Sequence, residues 1–171
     1  MFEKLETFEI KKKYLRGGLN LYIGQYLYKF IQENNIKRIV ETGISWGFSS
    51  YYFLAALPSD GELISIEKEV KWDKLIVPMK WRNRWKIIEG TSREKLVKVF
   101  EENKDVDLFW HDSNHSYGNQ LFEYSTAKPY VRFIGGHDIY RKNRSAWNVF
   151  VSKSDTKVIF QDKVFGFGQT F

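Results

Sequence analysis

The chain has 171 residues, of which 43% are hydrophobic and 18% aromatic, enough for one domain with a full core but too few for two. It contains no cysteine, which excludes disulfide bridges and thiolate metal sites, and no apolar run approaches the ~18 residues needed to cross a membrane. The formal net charge of +6 permits binding to a phosphate backbone without establishing it. Because the first residues are charged rather than apolar, no signal peptide is indicated, and we expect a cytoplasmic protein with a single domain over residues 1–171.

Helical and strand-like patterns alternate along most of the chain. Residues 1–17 are predicted to form an N-terminal extension, and residues 18–171 the folded core. The predicted elements of the core, in chain order, are a helix over 18–34, a strand over 37–40, a helix over 49–57, strands over 62–67 and 85–89, a helix over 92–103 with Ser92 as its N-cap, a strand over 105–112, a helix over 117–128, a strand over 131–138, a helix over 145–153, and two closing strands over 157–162 and 164–171.

This order of elements predicts an α/β fold with a Rossmann-like, doubly wound sheet of seven strands. The sheet is expected to be mostly parallel, covered by helices on both faces, and to end in an antiparallel hairpin. In such sheets, ligands bind beyond the carboxyl ends of the strands. Four of the predicted strands end at or beside an acid, namely Glu41, Glu67, Asp112 and Asp138. We therefore expect an acid-lined ligand site at that edge of the sheet.

An acid, two spaced glycines and a serine follow the first predicted strand, in the pattern Glu41-Thr-Gly-x-x-x-Gly-x-Ser49, and Glu67 ends the next strand. Further on stand GTS at residues 90–92, VDLFWHDSNHSY at 106–117 and GGHDIY at 135–140. In this order the stretches resemble the class I S-adenosylmethionine-dependent methyltransferases. The resemblance is strongest to a small-molecule O-methyltransferase-like subgroup with an Asp-x-x-His-x-Tyr signature and a Gly-Gly…His-Asp element. In that subgroup the glycine pair opens the fifth strand several residues ahead of His-Asp, whereas here the two pairs are adjacent.

The resemblance implies that S-adenosylmethionine is the cofactor and that it is bound after the first four strands. The residues so implied are Glu41, Thr42, Gly43, Gly47, Ser49, Glu67, Thr91, Ser92 and Asp112. Glycines let the backbone approach a ligand, free N–H groups at a helix N-terminus suit a carboxylate, and an acid after the second strand suits ribose hydroxyls. Glu41 is expected at the positively charged amino end of the cofactor. The Gly-x-x-x-Gly spacing argues against a nicotinamide site, which needs Gly-x-Gly-x-x-Gly.

Methyl transfer from a sulfonium needs a nucleophile that is aligned and, if it is a hydroxyl, deprotonated. The candidates for this work are Asp112, His115, His137 and Asp138. In one arrangement Asp112 and Asp138, with His137 or His115, bind a divalent cation such as Mg²⁺ or Mn²⁺ that lowers the pKa of the acceptor hydroxyl. In the other arrangement no metal binds, and His115 or His137 is the general base. His111 is set aside, because strand alternation turns it away from Asp112.

The acceptor that the resemblance favours is a hydroxyl of a small molecule or a sugar. The alternative is a basic nucleic-acid-binding protein, or a nucleic-acid methyltransferase, that uses the segment KWRNRWK at residues 80–86. The simpler interpretation of this segment is a loop whose tryptophans contact the core. Since little of the chain lies outside the core, a homodimer in which a second copy completes the acceptor site is a further hypothesis.

Overall fold

The computed structural model describes residues 21–140, 145–162 and 164–171. The predicted N-terminal extension and the first residues of the predicted 18–34 helix lie outside these ranges. The α-helices of the described residues are α1 (Leu21–Glu33), α2 (Phe48–Ala56), α3 (Ser92–Glu102), α4 (Tyr117–Ala127) and α5 (Ala146–Lys153). The strands are β1 (Arg38–Thr42), β2 (Glu62–Glu67), β3 (Trp85–Glu89), β4 (Val106–His111), β5 (Val131–His137), β6 (Thr156–Gln161) and β7 (Phe165–Thr170). None of the helices within these ranges has both the length and the apolar character needed to cross a membrane.

The strands form one seven-stranded sheet in the order β3-β2-β1-β4-β5-β7-β6. Strands β1 to β5 are parallel to one another, and β7 runs antiparallel to both β5 and β6. The strand order reverses at β1, which lies between β2 and β4, and ligands bind at this switch point in open α/β sheets. The predicted fold class, including its closing antiparallel hairpin, is confirmed.

Helices cover both faces of the sheet. On one face α1 and α2 contribute buried residues such as Leu27 and Phe53. On the other face α3, α4 and α5 contribute Phe100, Tyr124 and Trp147. Full burial of an aliphatic or phenylalanine side chain such as Leu27, Phe53 or Phe100 stabilises a fold by about 1.5–3 kcal/mol. The two faces of the sheet are covered by apolar cores, and polar side chains gather at the carboxyl-terminal edge of β1 to β5.

The N-cap of α3 lies one residue before the predicted one. Ser92 is the first residue of the helix, and Thr91 is its N-cap. The backbone N–H of Thr91 donates to Glu94 Oε2 (2.9 Å), which closes a capping box. The reason is the spacing, because a capping box needs the acid three residues after the cap, and Glu94 stands three residues after Thr91 rather than after Ser92.

The adjacent Gly-Gly and His-Asp pairs are explained by a fifth strand that starts early. β5 begins at Val131, so that Gly135 and Gly136 lie inside it rather than at its start. A Cβ on Gly135 would lie 2.7 Å from Phe167 Cδ2, and one on Gly136 would lie 2.3 Å from Tyr124 Oη. The glycines are therefore required by aromatic side chains that pack across β5, and the strand still delivers the His-Asp pair to its carboxyl end.

Candidate active site

A cavity of about 460 Å³ lies beyond the carboxyl ends of β1, β2 and β4. Backbone hydrogen bonds continue past these strand ends and hold the following loops together. The Gly43 N–H donates to the Ile66 carbonyl (2.9 Å), and the Asp112 N–H donates to the Thr42 carbonyl (2.8 Å). The residues predicted to bind the cofactor that line this cavity are Thr42, Gly43, Glu67, Thr91, Ser92 and Asp112.

Gly43 is the residue at which the chain leaves β1 and enters the cavity wall. Its φ is +85°, and a Cβ at this position would lie 2.1 Å from the Asp112 carbonyl oxygen. A side chain is therefore excluded both by the backbone conformation and by the close approach of the loop after β4. Ser45 also has a positive φ, of 49°, although it is not glycine. Non-glycine residues in this region cost about 1–3 kcal/mol and concentrate at functional sites.

Glu67 ends β2 and closes one side of the cavity. Its Oε2 accepts hydrogen bonds from the backbone N–H groups of Ile44 (2.7 Å) and Ser45 (3.0 Å), and its Oε1 accepts one from Lys68 (2.9 Å). The carboxylate thus binds the glycine turn after β1 directly. It also places two acceptor oxygens in the cavity wall, where hydroxyls of a ligand could reach them.

Glu41 was predicted to contact the cofactor, but the structure places it away from the cavity. Its side chain is fully buried, and its carboxylate accepts hydrogen bonds from the hydroxyls of Ser49 (2.9 Å), Ser50 and Ser65 (2.6 Å). Ser49 is engaged by this carboxylate and does not line the cavity either. Gly47 also lies outside the cavity wall, as the left-handed N-cap of α2. Glu41 therefore joins β1, β2 and α2 beneath the glycine turn.

The four side chains predicted to carry the chemistry meet in one cluster. His137 Nδ1 lies 3.4 Å from Asp112 Oδ1 and 3.7 Å from Asp138 Oδ1. His115 Nε2 lies 3.7 Å from both Asp112 Oδ1 and Asp138 Oδ2. Because the last pair between the parallel strands β4 and β5 is His111 with Gly136, Asp112 and His137 lie side by side at the carboxyl ends of these strands. Asp112 belongs both to this cluster and to the cavity wall.

The two histidines of the cluster have pKa values shifted in opposite directions. Burial and the neighbouring His111 lower the pKa of His115, against the attraction of Asp112 and Asp138. Burial also lowers the pKa of His137, but its hydrogen bond to Asp112 and the charges of both acids outweigh burial and raise it. Of two neighbouring groups, the one with the lowered pKa is free to accept a proton, and the one with the raised pKa tends to keep its proton. His115 therefore holds a proton less tightly than His137 does.

The cluster also has the composition of a metal site. Ligand atoms of Asp112, His115 and His137 all lie within 4.8 Å of one another. Asp138, which was predicted as a ligand together with Asp112 and either histidine, is not one of these three, and its side chain is 52% exposed. Asp138 also has a φ of +48°, a strained value for a non-glycine residue. A mixed set of carboxylate and imidazole ligands suits Mn²⁺, Fe²⁺ or Zn²⁺ better than Mg²⁺.

Two further residues stand behind the cluster, and the sequence analysis gave a role to neither, since it set His111 aside and did not consider Glu123. His111 is fully buried in β4, yet its Nε2 lies 3.3 Å from His115 Nδ1. Its Nδ1 lies 2.5 Å from Oε2 of Glu123, a fully buried acid of α4. The one available signal was that Glu123 is the only acid in the sequence between Asp112 and Asp138. Such an acid needs a hydrogen-bonding partner when its helix turns it toward the sheet, as it does here.

The basic segment at residues 80–86 has its tryptophans against the core. Trp85 is buried and donates from Nε1 to Ser65 Oγ (2.6 Å). Trp81 packs against Tyr51, with ring centroids 5.2 Å apart. Arg84 donates to three backbone carbonyls in the last turn of α2 and just beyond it, those of Leu54 (2.9 Å), Leu57 (3.4 Å) and Pro58 (2.7 Å). These side chains are therefore engaged within the protein, as the simpler interpretation of the segment expects.

The fold and the cavity define a class of protein. A seven-stranded sheet of this order, with its cavity at the switch point and acids at the strand ends, is the architecture expected of the class I methyltransferases that the sequence resembles. Residues 40–139 match a family described as a methyltransferase domain. This match covers more than half of the chain, and the chain therefore belongs to this methyltransferase family.

Solved methyltransferase structures share the fold. The O-methyltransferase TomG from Streptomyces achromogenes, involved in tomaymycin synthesis and in complex with S-adenosylmethionine, has a TM-score of 0.73 at 14% identity over 95% of this chain and 85% of that one. An O-methyltransferase from Bacillus cereus, in complex with S-adenosylhomocysteine, has a TM-score of 0.70 at 12% identity over 98% and 90%. A methyltransferase from Geobacter sulfurreducens has a TM-score of 0.70 at 13% identity over 99% and 87%. Comparison with curated protein sequences gave no match.

Titration of Glu41 predicts a pH dependence of stability. Burial raises the pKa of Glu41 from 4.5 to about 7, against the opposing effect of its serine hydrogen bonds. The folded protein therefore holds this proton more tightly than the unfolded chain, so the stabilisation is complete below pH 4.5 and is lost as the pH rises through about 7. A shift of this size corresponds to about 3 kcal/mol.

We predict that wild type becomes less stable relative to Glu41→Gln over this pH range, because glutamine does not titrate. Urea denaturation of both proteins at a series of pH values would measure the difference in free energy of unfolding. A difference that does not change with pH would contradict the prediction.

Proposed function

We propose that the chain transfers the methyl group of S-adenosylmethionine to a hydroxyl of a small molecule. The observation that carries this proposal is the position of Asp112, which lies in the wall of the cavity and in the Asp-His cluster at the same time. A cofactor in the cavity would therefore have its reactive end next to groups that can align and deprotonate a hydroxyl. That two of the solved structures with this fold are O-methyltransferases bound to this cofactor or its product supports the choice of oxygen as acceptor.

The cavity wall offers a place for each part of the cofactor. Glu67 would accept hydrogen bonds from the ribose hydroxyls, since it already presents two carboxylate oxygens there. Thr91 and Ser92, after β3, would lie beside the adenine. The turn through Gly43 and Ser45 would bind the methionine end through its backbone. Glu41 supports this site indirectly, through the serines of α2 and β2.

The reaction that these residues support is an in-line displacement. The acceptor oxygen forms a bond to the methyl carbon while the bond from that carbon to the sulfonium sulfur breaks, and the products are a methyl ether and a thioether. The hydroxyl proton goes to Nε2 of His115, the ring nitrogen that faces Asp112 and Asp138. General bases placed in this way contribute about 10²- to 10⁴-fold to rate.

The residues of the cluster also fit a divalent cation. Asp112 and His137, with His115 or Asp138, would hold it, and the two carboxylates would balance its charge. A bound cation would supply Lewis acidity that lowers the pKa of the acceptor hydroxyl. We propose manganese as the first ion to test, because the ligand set mixes nitrogen and oxygen atoms.

Cofactor binding is tested by calorimetry with S-adenosylhomocysteine. We predict that Glu67→Gln weakens binding about 10- to 100-fold, because hydrogen bonds to a charged acceptor are worth about 1.5–3 kcal/mol. The matched control is Glu89→Gln, since Glu89 pairs with Glu67 in the neighbouring strand, is exposed and does not line the cavity. Wild-type affinity in Glu67→Gln, or an equal loss in both variants, would refute the placement of the ribose.

Methyl transfer is tested with S-adenosylmethionine labelled in its methyl group and with two acceptors, catechol and a methyl glucoside. We predict that His115→Ala lowers turnover of the accepted substrate about 10²- to 10⁴-fold while S-adenosylhomocysteine still binds. Stimulation by manganese that disappears in His137→Ala would favour the metal arrangement, and turnover that survives chelation would favour the base alone. Wild-type turnover in His115→Ala would rule out the proposed base.

A further inference from the structure

We propose that Glu123 is a positioning residue of the cofactor cavity. It takes up the hydrogen-bond donors of Thr42, Ser113 and Asn119, so that these side chains can only accept hydrogen bonds from a bound ligand. The inference rests on the proposed function, because the ligand that it fits is S-adenosylmethionine. It also gives a role to a fully buried carboxylate that does not itself line the cavity.

The carboxylate of Glu123 is surrounded by donors from different parts of the cavity wall. Its Oε2 accepts from Thr42 Oγ1 (2.6 Å) at the end of β1. Its Oε1 accepts from Ser113 Oγ (2.6 Å), in the loop after β4, and from Asn119 Nδ2 (2.7 Å), in α4. Thr42, Ser113 and Asn119 all line the cavity. One buried side chain of α4 therefore holds β1, the loop after β4 and the start of α4 in place around the cavity.

The neighbours of Asn119 fix the orientation of its amide. Nδ2 lies 3.1 Å from the Asn114 carbonyl oxygen, which can only accept, and 2.7 Å from Glu123 Oε1. Nδ2 also donates to Ser113 Oγ at 3.2 Å. Oδ1 faces the other way and accepts from Ser92 Oγ (3.5 Å). Both amide protons of Asn119 are therefore used within the protein.

None of the three cavity residues has a proton left for a ligand. The hydroxyls of Thr42 and Ser113 donate to Glu123, and the amide protons of Asn119 are taken as well. Oxygen lone pairs are what these side chains can still offer. S-adenosylmethionine has the complementary groups, because its ammonium group, its ribose hydroxyls and the amino group of its adenine are all donors. A wall of acceptors favours such a ligand over one that presents acceptors itself.

The protonation of His111, the fourth neighbour of Glu123, does not change this pattern. Nδ1 of His111 lies 2.5 Å from Glu123 Oε2. When Nδ1 carries a proton, in a neutral or a charged ring, Glu123 accepts it. When Nδ1 carries none, the proton of the contact lies on Oε2. In every one of these states the carboxyl oxygens still accept from Thr42, Ser113 and Asn119.

The pattern is tested by exchanging the carboxylate and the amide between positions 123 and 119. In Asn119→Asp two carboxylates face each other across a contact of 2.7 Å, and like charges repel. In Glu123→Gln the new NH₂ group faces a donor, which must turn its proton away, into the cavity. In the double variant that carries both substitutions, the amide at position 123 donates to the carboxylate at position 119. This pair has the same net charge as wild type, and position 119 still presents acceptors only.

We predict that Asn119→Asp and Glu123→Gln each weaken the binding of S-adenosylhomocysteine about 10- to 100-fold in calorimetry, the range set by loss of a hydrogen bond to a charged group. The double variant should bind about 10-fold more tightly than Asn119→Asp, because donor and acceptor face each other again. A double variant that binds as weakly as Asn119→Asp, or more weakly, would overturn the proposal.

Urea denaturation of the same proteins without ligand makes the test independent of cofactor binding. The double variant should have a higher urea midpoint than Asn119→Asp, and an equal or lower midpoint would also overturn the proposal. Wild type that binds no S-adenosylhomocysteine would instead contradict the proposed function, and the midpoints would still show whether the contact has the inferred direction.

The matched control is Phe150→Leu, which lies in the core beneath α5 and does not line the cavity. It should lower the urea midpoint, because it removes buried apolar volume, and leave the affinity for S-adenosylhomocysteine unchanged. If it weakened binding as much as Asn119→Asp does, lost stability rather than lost positioning would be the cause, and the proposal would be wrong.

Discussion

The register of β4 between β1 and β5 is the constraint on which the whole site depends. β4 pairs with β1 on one side and with β5 on the other, so Asp112 leaves the sheet between the glycine turn and His137. Its N–H bonds to the Thr42 carbonyl, while its carboxylate lies 3.4 Å from His137 Nδ1. A slip of β4 by one residue would turn each of its side chains to the opposite face. It would also separate the cavity from the cluster that gives the cavity its chemistry.

Two fully buried carboxylates support the two halves of this arrangement, and their surroundings differ. Among the residues that the structure describes, serine hydroxyls are the donors to Glu41 beneath the glycine turn, and burial raises its pKa to about 7. Glu123 behind the cluster is also buried, but its pKa falls to about 2 because His111 and further hydrogen bonds outweigh burial. Glu41 thus takes up a proton near neutral pH, whereas Glu123 keeps its charge. Glu41 can link β1 and β2 to α2 through hydrogen bonds, and Glu123 can orient the ring of His111.

The sequence predicted the fold and the Asp-His cluster more closely than it predicted the buried contacts of Glu41 and His111. Apolar runs bounded by turn residues placed every strand to within about two residues, and parallel strand ends converge, so the four Asp and His groups were expected to meet. The burial of Glu41 was not predictable, since an acid at a strand end has the same pattern whether it faces a ligand or the serines of the next helix. The alternation of side chains along β4 turns His111 toward α4, as the sequence pattern indicates. The loop after β4 then brings His115 against His111, and this contact depends on tertiary packing.

The most direct test of the central claim, that the cavity binds the cofactor with its reactive end at Asp112, is a crystal structure of the protein with S-adenosylhomocysteine. We predict that the ribose hydroxyls donate to Glu67, which gives up its hydrogen bonds from Ile44 and Ser45, and that the thioether sulfur lies beside Asp112 and His115. A crystal structure in which the ligand is bound elsewhere would contradict the claim. So would one in which Glu67 still binds the glycine turn and makes no contact with the ribose.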